Sequence, residues 1–424
     1  MGYPVKIAAG CIAIGAALLG ISGCASHVGG TSATVNINGN SITINGNEVG
    51  KNSATDSVQQ KFEAATVTTV KTETDTGTIE LTSSPAAANE IHIVARRSVR
   101  GNEAPEALKP MLSKIQATAS LDGHTLVVKA VVPPELQKNG RSASVDYVIV
   151  VPERMLYELR SSAGNITLKG LRGGGSAHSD VGTVSATNCA GAVTLTTSAG
   201  SVDVADSEDI SSATLKTDDG AITINRIGGR VTADTSNGEI TVDASPKATQ
   251  LTLHSDNGAV SVSNSAGSIE AETSNGAVTV TRCKVSGTLK LTSDNGAVEA
   301  RDISAVGGAL HSELKSSSGA VAYHGDVSEL TAESDSGSAQ AEISRTLKLL
   351  SADVRSANGE ASITLPSTAS ATVTVDSSNG RADVPGGMAA TESSSERSTV
   401  QMGSGSAKVS VHSDNGNATL HTGS

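Results

Sequence analysis

Repeated carboxylates, a few cysteines and scattered histidines are the side chains of this sequence that could carry chemistry. Two residues before successive glycines stand Asp180, Ser198, Asp218, Ser236, Asp256, Ser274, Asp294, Ser317 and Asp335, an alternation of aspartate and serine. Oxygen donors at a fixed interval invite comparison with a calcium ladder, but each ion would need several oxygens within about 2.6 Å. If strands stack at about 4.8 Å, alternate aspartates stand roughly 9.6 Å apart, near a Debye length in physiological salt, so the alternation relieves repulsion without metal. The column is assigned to turns and solubility, and no metal ligand is expected.

Cys189 and Cys283 each lie seven residues after a glycine, where other repeats place Leu171, Ile227 and Ile303, so both read as small corner fillers. They stand five repeats apart, roughly 24 Å at about 4.8 Å per step, far beyond the ~7 Å between Cα atoms that a disulfide tolerates. The histidines form no HExxH pattern, and His254 and His412 fall four residues before a glycine, on the outward side of a strand. Gly173-Gly174-Gly175-Ser176 lacks the lysine of a phosphate loop and reads as a turn. Cleavage of polysaccharide, the main enzymatic alternative, needs converging carboxylates or basic groups and aromatic platforms for sugar rings. The repeat region offers only Tyr323, at an inward position, and outward pairs such as Glu239 with Thr241 and Ala297 with Glu299 are too irregular for an ice-binding face. No catalytic residue and no cofactor is assigned.

The elements that position these residues repeat from about residue 160. Glycines at 164, 182, 200, 220, 238, 258, 276, 296, 319, 337, 359 and 380 recur at a spacing near 18 or 20, the mark of a solenoid. Two residues after each comes an apolar side chain, from Ile166 and Val184 to Ala361 and Ala382, and four after, the apolar set continues through Leu168, Val204 and Ile224. Each glycine thus opens a short strand with one inward face. A second strand precedes it, as in Leu251-Thr252-Leu253 before Gly258. Asn237, Asn257, Asn275, Asn295, Asn358, Asn379 and Asn415 directly precede a glycine, a pair that tolerates positive φ in a turn. Small inward residues fill a gap of about 10 Å between sheets but not a wide barrel. The expected fold is all-β: a parallel β-solenoid with two short strands per rung of 18–20 residues, in preference to one wide coil per pair of repeats.

Composition agrees. The 424 residues hold 44 Gly, no Trp, one Phe and four Tyr, a poor supply for a thick aromatic core. The formal net charge of -12 excludes nucleic acid as a partner, since such binding needs clustered Lys and Arg. Ahead of the repeats, residues 61–160 alternate as strands around one expected helix, with Pro105 near its start and Leu108, Met111, Leu112 and Ile115 as its apolar stripe. Residues 24–60, rich in Ser, Thr and Asn, read first as a flexible tether, although Val35–Asn38 and Ile42–Asn45 could pair as a hairpin.

At the start, Lys6, the apolar stretch Ile7 to Ile21 and the small residues after it have the parts of a secretory signal. Ile21-Ser22-Gly23-Cys24 resembles the lipobox of bacterial lipoproteins, which implies cleavage after residue 23 and a diacylglycerol on Cys24. The repeats themselves resemble a bacterial family called putative adhesins, exported proteins of β-strand repeats. The likeness covers roughly residues 60–424 and rests on Asp75-Thr76-Gly77-Thr78-Ile79-Glu80-Leu81, the single helix, Val145 to Val151 before Pro152, and units such as Thr273-Ser274-Asn275-Gly276-Ala277-Val278-Thr279-Val280. It implies an extracytoplasmic β-solenoid at the cell envelope and supplies no catalytic residues. The sequence therefore divides into a signal peptide (1–23), a lipidated tether (24–60), a strand-rich region with one helix (61–160) and a solenoid (161–424). The expected function is a non-enzymatic adhesin or binding scaffold, partnered by the membrane through its lipid and by a surface glycan or protein; a polysaccharide-active enzyme and a purely structural spacer are the alternatives.

Overall fold

The computed structural model describes the strands Val35–Asn38, Ser41–Ile44 and Asn47–Glu48, and residues 52–423 apart from 88, 345–347, 387 and 389. Cys24 and the signal sequence lie outside the described residues. The chain divides into two compact units, Met1–Ser201 and Val202–Ser424. Among the described residues no helix is long and apolar enough to cross a membrane.

In the first unit, stacking begins earlier than the repeats suggested. Thr69–Thr76 and Ile79–Ser83 flank Gly77 and form a rung. Leu156–Ala163 pairs in parallel with Thr69–Thr76, and Ile166–Lys169 with Ile79–Ser83. The next rung, Gly175–Val181 and Val184–Thr187, repeats both pairings. Alternation along each strand sends Val70, Ile79, Leu81, Ile166 and Leu168 between the two sheets, where each is fully buried. Each such side chain contributes roughly 1.5–3 kcal/mol through removal from water.

Between the first rung and Leu156 the chain leaves the stack and builds an antiparallel end to it. Ser142–Val151 lies parallel to Ile79–Ser83 and antiparallel to Glu90–Gly101, which pairs in turn with Asn52–Glu63. On the other sheet, Thr125–Val131 joins Thr69–Thr76 and pairs antiparallel with Gln116–Asp122. The tether expected through residue 60 thus gives way to strand at Asn52, because those residues find a long partner in Glu90–Gly101 that a sequence scan does not see. Val35–Asn38 also pairs with Ser41–Ile44 as a hairpin. The helix is Pro105–Leu112, with Pro105 in its first turn and Leu108, Leu112 and the following Ile115 buried.

The second unit is a stack of two-strand rungs, one per repeat. Val202–Ser207 pairs in parallel with the start of Ile222–Thr235, which pairs with Ile240–Asp243, then Val260–Ser263 and Val278–Thr281. The facing sheet runs through Lys247–Ser255, Ala266–Thr273 and Lys284–Ser293. Adjacent repeats are thus direct neighbours, as the small inward residues demanded, and a wide coil is excluded. The uneven spacing has a local cause: register shifts fall at Gly229/Arg230, Gly267/Ile269 and Val285/Gly287, all at the start of the second strand. Extra residues bulge there and leave the glycine corner unchanged.

At the C-terminal end of this unit the rungs are not stacked in sequence order. Ala407–Ser413 and Ala418–Gly423 lie directly on Ser351–Ser356 and Ala361–Pro366. The earlier segment Ala371–Ser377 is displaced outward onto Ala407–Ser413, and Arg397–Met402 pairs antiparallel with its far side. The connection back passes round Ser370, whose Oγ accepts from the Ser404 amide at 3.0 Å. Ala382, on this outermost rung, is accordingly only half-buried.

Candidate functional site

Two kinds of polar arrangement stand out, one at the glycine corner and one on the outer faces. Three residues before each rung glycine the sequence always has Ser or Thr, a column that reading the repeats for apolar positions passes over. In the second unit Thr235, Ser255, Thr273 and Ser293 occupy it, fully buried. Their hydroxyls donate to the carbonyls of Gly220, Gly238, Gly258 and Gly276 in the preceding rung, at 2.8–2.9 Å. The same oxygens accept from the following glycine: Gly258 N–H reaches Ser255 Oγ and Gly296 N–H reaches Ser293 Oγ, both at 2.8 Å. One hydroxyl thus satisfies a donor and an acceptor that burial would otherwise orphan. The first unit repeats the bond from Ser161 to Gly77 and from Ser179 to Gly164.

The glycines are required by contact between rungs. A Cβ on Gly238 would stand 1.7 Å from the Gly220 carbonyl oxygen, and one on Gly276 would stand 2.1 Å from that of Gly258. The asparagines before them have another role than the left-handed turn expected of them. Asn257 Nδ2 donates to Asn237 Oδ1, Asn275 to Asn257 and Asn295 to Asn275, at 2.8–2.9 Å. Asn415 and Asn379 continue the pattern onto Asn358 and Asn415, following the spatial order of the rungs. At the other end Asn237 donates to Asp219 Oδ1 at 2.7 Å.

In the second unit positive φ falls instead at the opposite corner, six residues after the glycine, on Asp206, Arg226, Ala244, Asn264, Arg282 and Asp302. The buried residue that follows is Ser207, Ile227, Ser245, Ser265, Cys283 or Ile303. Ser265 Oγ and Cys283 Sγ both donate to the carbonyl two residues earlier, so the cysteine takes the place of a serine. Cys189 does the same toward Thr187. Both cysteines are buried, and burial pushes their thiols up, away from the reactive thiolate.

The outer faces carry the charges. In the first unit Lys71, Glu73, Asp75, Glu158, Arg160, His178 and Asp180 alternate outward from three adjacent strands. Lys71 Nζ lies 2.7 Å from Glu158, Lys129 Nζ 3.0 Å from Glu73, and His178 Nε2 2.8 Å from Asp180. A shallow cleft of about 290 Å³ is lined by Glu73, Asp75, Lys129 and Arg160 with Thr74, Ala130 and Ser162. The hydrogen bond from Lys129 holds the Glu73 carboxyl below the usual carboxylate range. Glu73 is therefore an ionised acceptor at neutral pH, the reverse of the raised carboxyl that acid catalysis of glycosidic cleavage requires. In the second unit Lys290 pairs with Glu270, His311 with Glu329, and His412 with both Asp376 and Asp414, at 2.9–3.0 Å. His254 lies 3.2 Å from Asp256. Tyr323 is buried, as read, and its hydroxyl donates to the Asp326 carbonyl. Among the described residues no group of three or more His, Cys, Asp or Glu could hold a metal ion.

Residues 244–421 match the family described as Toastrack DUF4097. A crystal structure of a "putative adhesin" from Bacteroides fragilis is 15% identical, covering 59% of this chain and 97% of its own, with a TM-score of 0.31. One of a "putative cell adhesion protein" from Clostridium sporogenes is 8% identical, covering 87% of this chain and 100% of its own, with a TM-score of 0.18. No curated protein matches. The resemblance read from the repeats is thus met by a family match over residues 244–421, while overlaps this low leave the architecture to be argued from the chain's own geometry.

Proposed function

We propose that this chain is a non-enzymatic surface protein of the cell envelope, anchored by lipid on Cys24, whose stacked sheets present a binding face to a glycan or protein. One observation carries the reading: the outward charged groups pair with one another within a rung, as in His178 with Asp180, or between neighbouring rungs, as in Lys71 with Glu158 and Lys290 with Glu270, so they spread over the surface and do not converge on one reacting atom. Exposed pairs of this kind add little stability, typically below about 1 kcal/mol, and their arrangement suits recognition of polar ligands over a broad area.

The soluble chain without its signal sequence is the reagent for the test. A glycan array and a pull-down from whole cells should return a saturable ligand, whose binding weakens with salt. Incubation with acidic and neutral polysaccharides should leave chain length unchanged; protein-dependent shortening would replace the binding reading with an enzymatic one. Fatty-acid labelling in cells should mark the wild type and not Cys24→Ala, and equal labelling of both would remove the anchor.

A further inference from the structure

We propose that the Asn-Gly pairs of the second unit are latent deamidation sites, held shut by the ladder and opened only when their rung unfolds. An asparagine followed by glycine is chemically vulnerable because no side chain shields the glycine nitrogen. That nitrogen loses its proton and attacks the asparagine Cγ; the new C–N bond closes a succinimide as the bond to the side-chain nitrogen breaks and ammonia leaves. Water then adds to either ring carbonyl and gives aspartate or isoaspartate. The step needs a free glycine N–H and an asparagine side chain able to turn its Cγ toward it.

The stack withholds both. Gly258 N–H is engaged by Ser255 Oγ at 2.8 Å and Gly276 N–H by Thr273 Oγ1 at 3.2 Å. The amide of Asn257 is fixed twice, to Asn237 Oδ1 at 2.8 Å and to the Ser236 carbonyl at 3.2 Å. Its own Oδ1 accepts from Asn275. The chain contains its own counter-case: Asn139-Gly140 lies in an exposed turn of the first unit, with φ of 58° and 76°, outside any ladder.

Conversion would also be self-locking. Aspartate has no N–H to give the preceding rung, and the ladder accommodates one only at Asp219, where a carboxylate is purely an acceptor. Isoaspartate inserts an extra backbone atom just before a glycine that must lie against the preceding glycine carbonyl. A rung that opens long enough to react therefore cannot close again in register.

The full chain, held folded at mildly alkaline pH and mapped by peptide mass, tests this. Asn139 should convert while Asn257, Asn275 and Asn295 convert about tenfold more slowly or less, as local opening limits them. In urea the difference should vanish. Ser255→Ala, and independently Asn237→Ala, should raise conversion at Asn257 above that at Asn295 in protein whose circular dichroism is unchanged. Native conversion of the stack asparagines at the rate of Asn139, protection that persists in urea, or equal acceleration at Asn257 and Asn295 in both variants would each overturn the proposal.

Discussion

The two corners of a rung in the second unit solve the same problem, reversing the chain between sheets, by different means. At the glycine corner the solution is collective: a buried hydroxyl, an asparagine and a glycine each act on the rung before, and none has meaning without that neighbour. At the opposite corner the solution is local, a single residue in the left-handed region, and asparagine, aspartate, arginine and alanine all serve. Its side chains also reach between rungs, as Asn264 does to Asp243 at 2.8 Å and Arg282 to Asn264 at 3.0 Å, but with chemistry that changes from rung to rung. Length variation follows the same division, since the bulges fall at or just beyond the left-handed corner. A contact repeated against an identical neighbour fixes residue type more strictly than a dihedral does, because a dihedral costs only about 1–2 kcal/mol to violate.

The sharpest way to break the comparison is at glycine. Gly276→Ala places a methyl 2.1 Å from the Gly258 carbonyl oxygen, 2.4 Å from its carbon and 2.7 Å from the Ala259 nitrogen, all backbone of the preceding rung and none of it the end of a flexible side chain. A loss on the order of 4 kcal/mol is expected, read as a fall in the urea midpoint of the second unit; a loss below about 1 kcal/mol would show that the rungs can separate freely.

Removing the hydroxyl should come next. Ser255→Ala leaves the Gly238 carbonyl and the Gly258 N–H without their partner, at about 1–3 kcal/mol. Ser255→Thr should restore stability, because Thr273 fills the same place one rung on. If thermal melting fails to separate alanine from threonine, the column is mere filler.

Asn275→Ala takes one link from the ladder at an exposed edge and should cost about 0.5–1.5 kcal/mol. Amide hydrogen exchange should rise at residues 256–258 and 294–296, on both flanking rungs, more than at the left-handed corner of the same rung. Uniform exchange throughout would mean the ladder is not a local brace.

The smallest effect should have the opposite sign. Ala244 carries a φ of 49°, where a Cβ is strained, so Ala244→Gly should raise the melting temperature by the equivalent of up to about 1 kcal/mol. A lower melting temperature would mean that loss of the alanine methyl outweighs the relief.

Much of this was open to reading without coordinates. The period of the glycines, the alternation of Val, Ile and Leu after them, the helix stripe of Leu108 and Leu112, and the corner-filling role of Cys189 and Cys283 depend on local spacing, which the chain carries in its own order. The Ser/Thr column was equally visible, since position minus three is always one or the other; its meaning was not, because Ser255 has its acceptor seventeen residues earlier, at Gly238. The role of the asparagines is hidden for the same reason. Asn-Gly has a familiar local use as a turn, whereas here its amide answers to another rung.

The order of the last rungs lay beyond the sequence altogether. Ala371, Val373, Val375, Ser377 and Gly380 present the same pattern as Ala407, Val409, Val411, Ser413 and Gly416, so either segment fits upon Ser351–Ser356. Period and alternation specify that a rung forms and which way its side chains face; they are silent on which of two equivalent rungs lies beneath. That choice rests on tertiary contacts, among them the antiparallel pairing of Arg397–Met402 with Ala371–Ser377, the turn of the chain round Ser370, and the seating of His412 between Asp376 and Asp414.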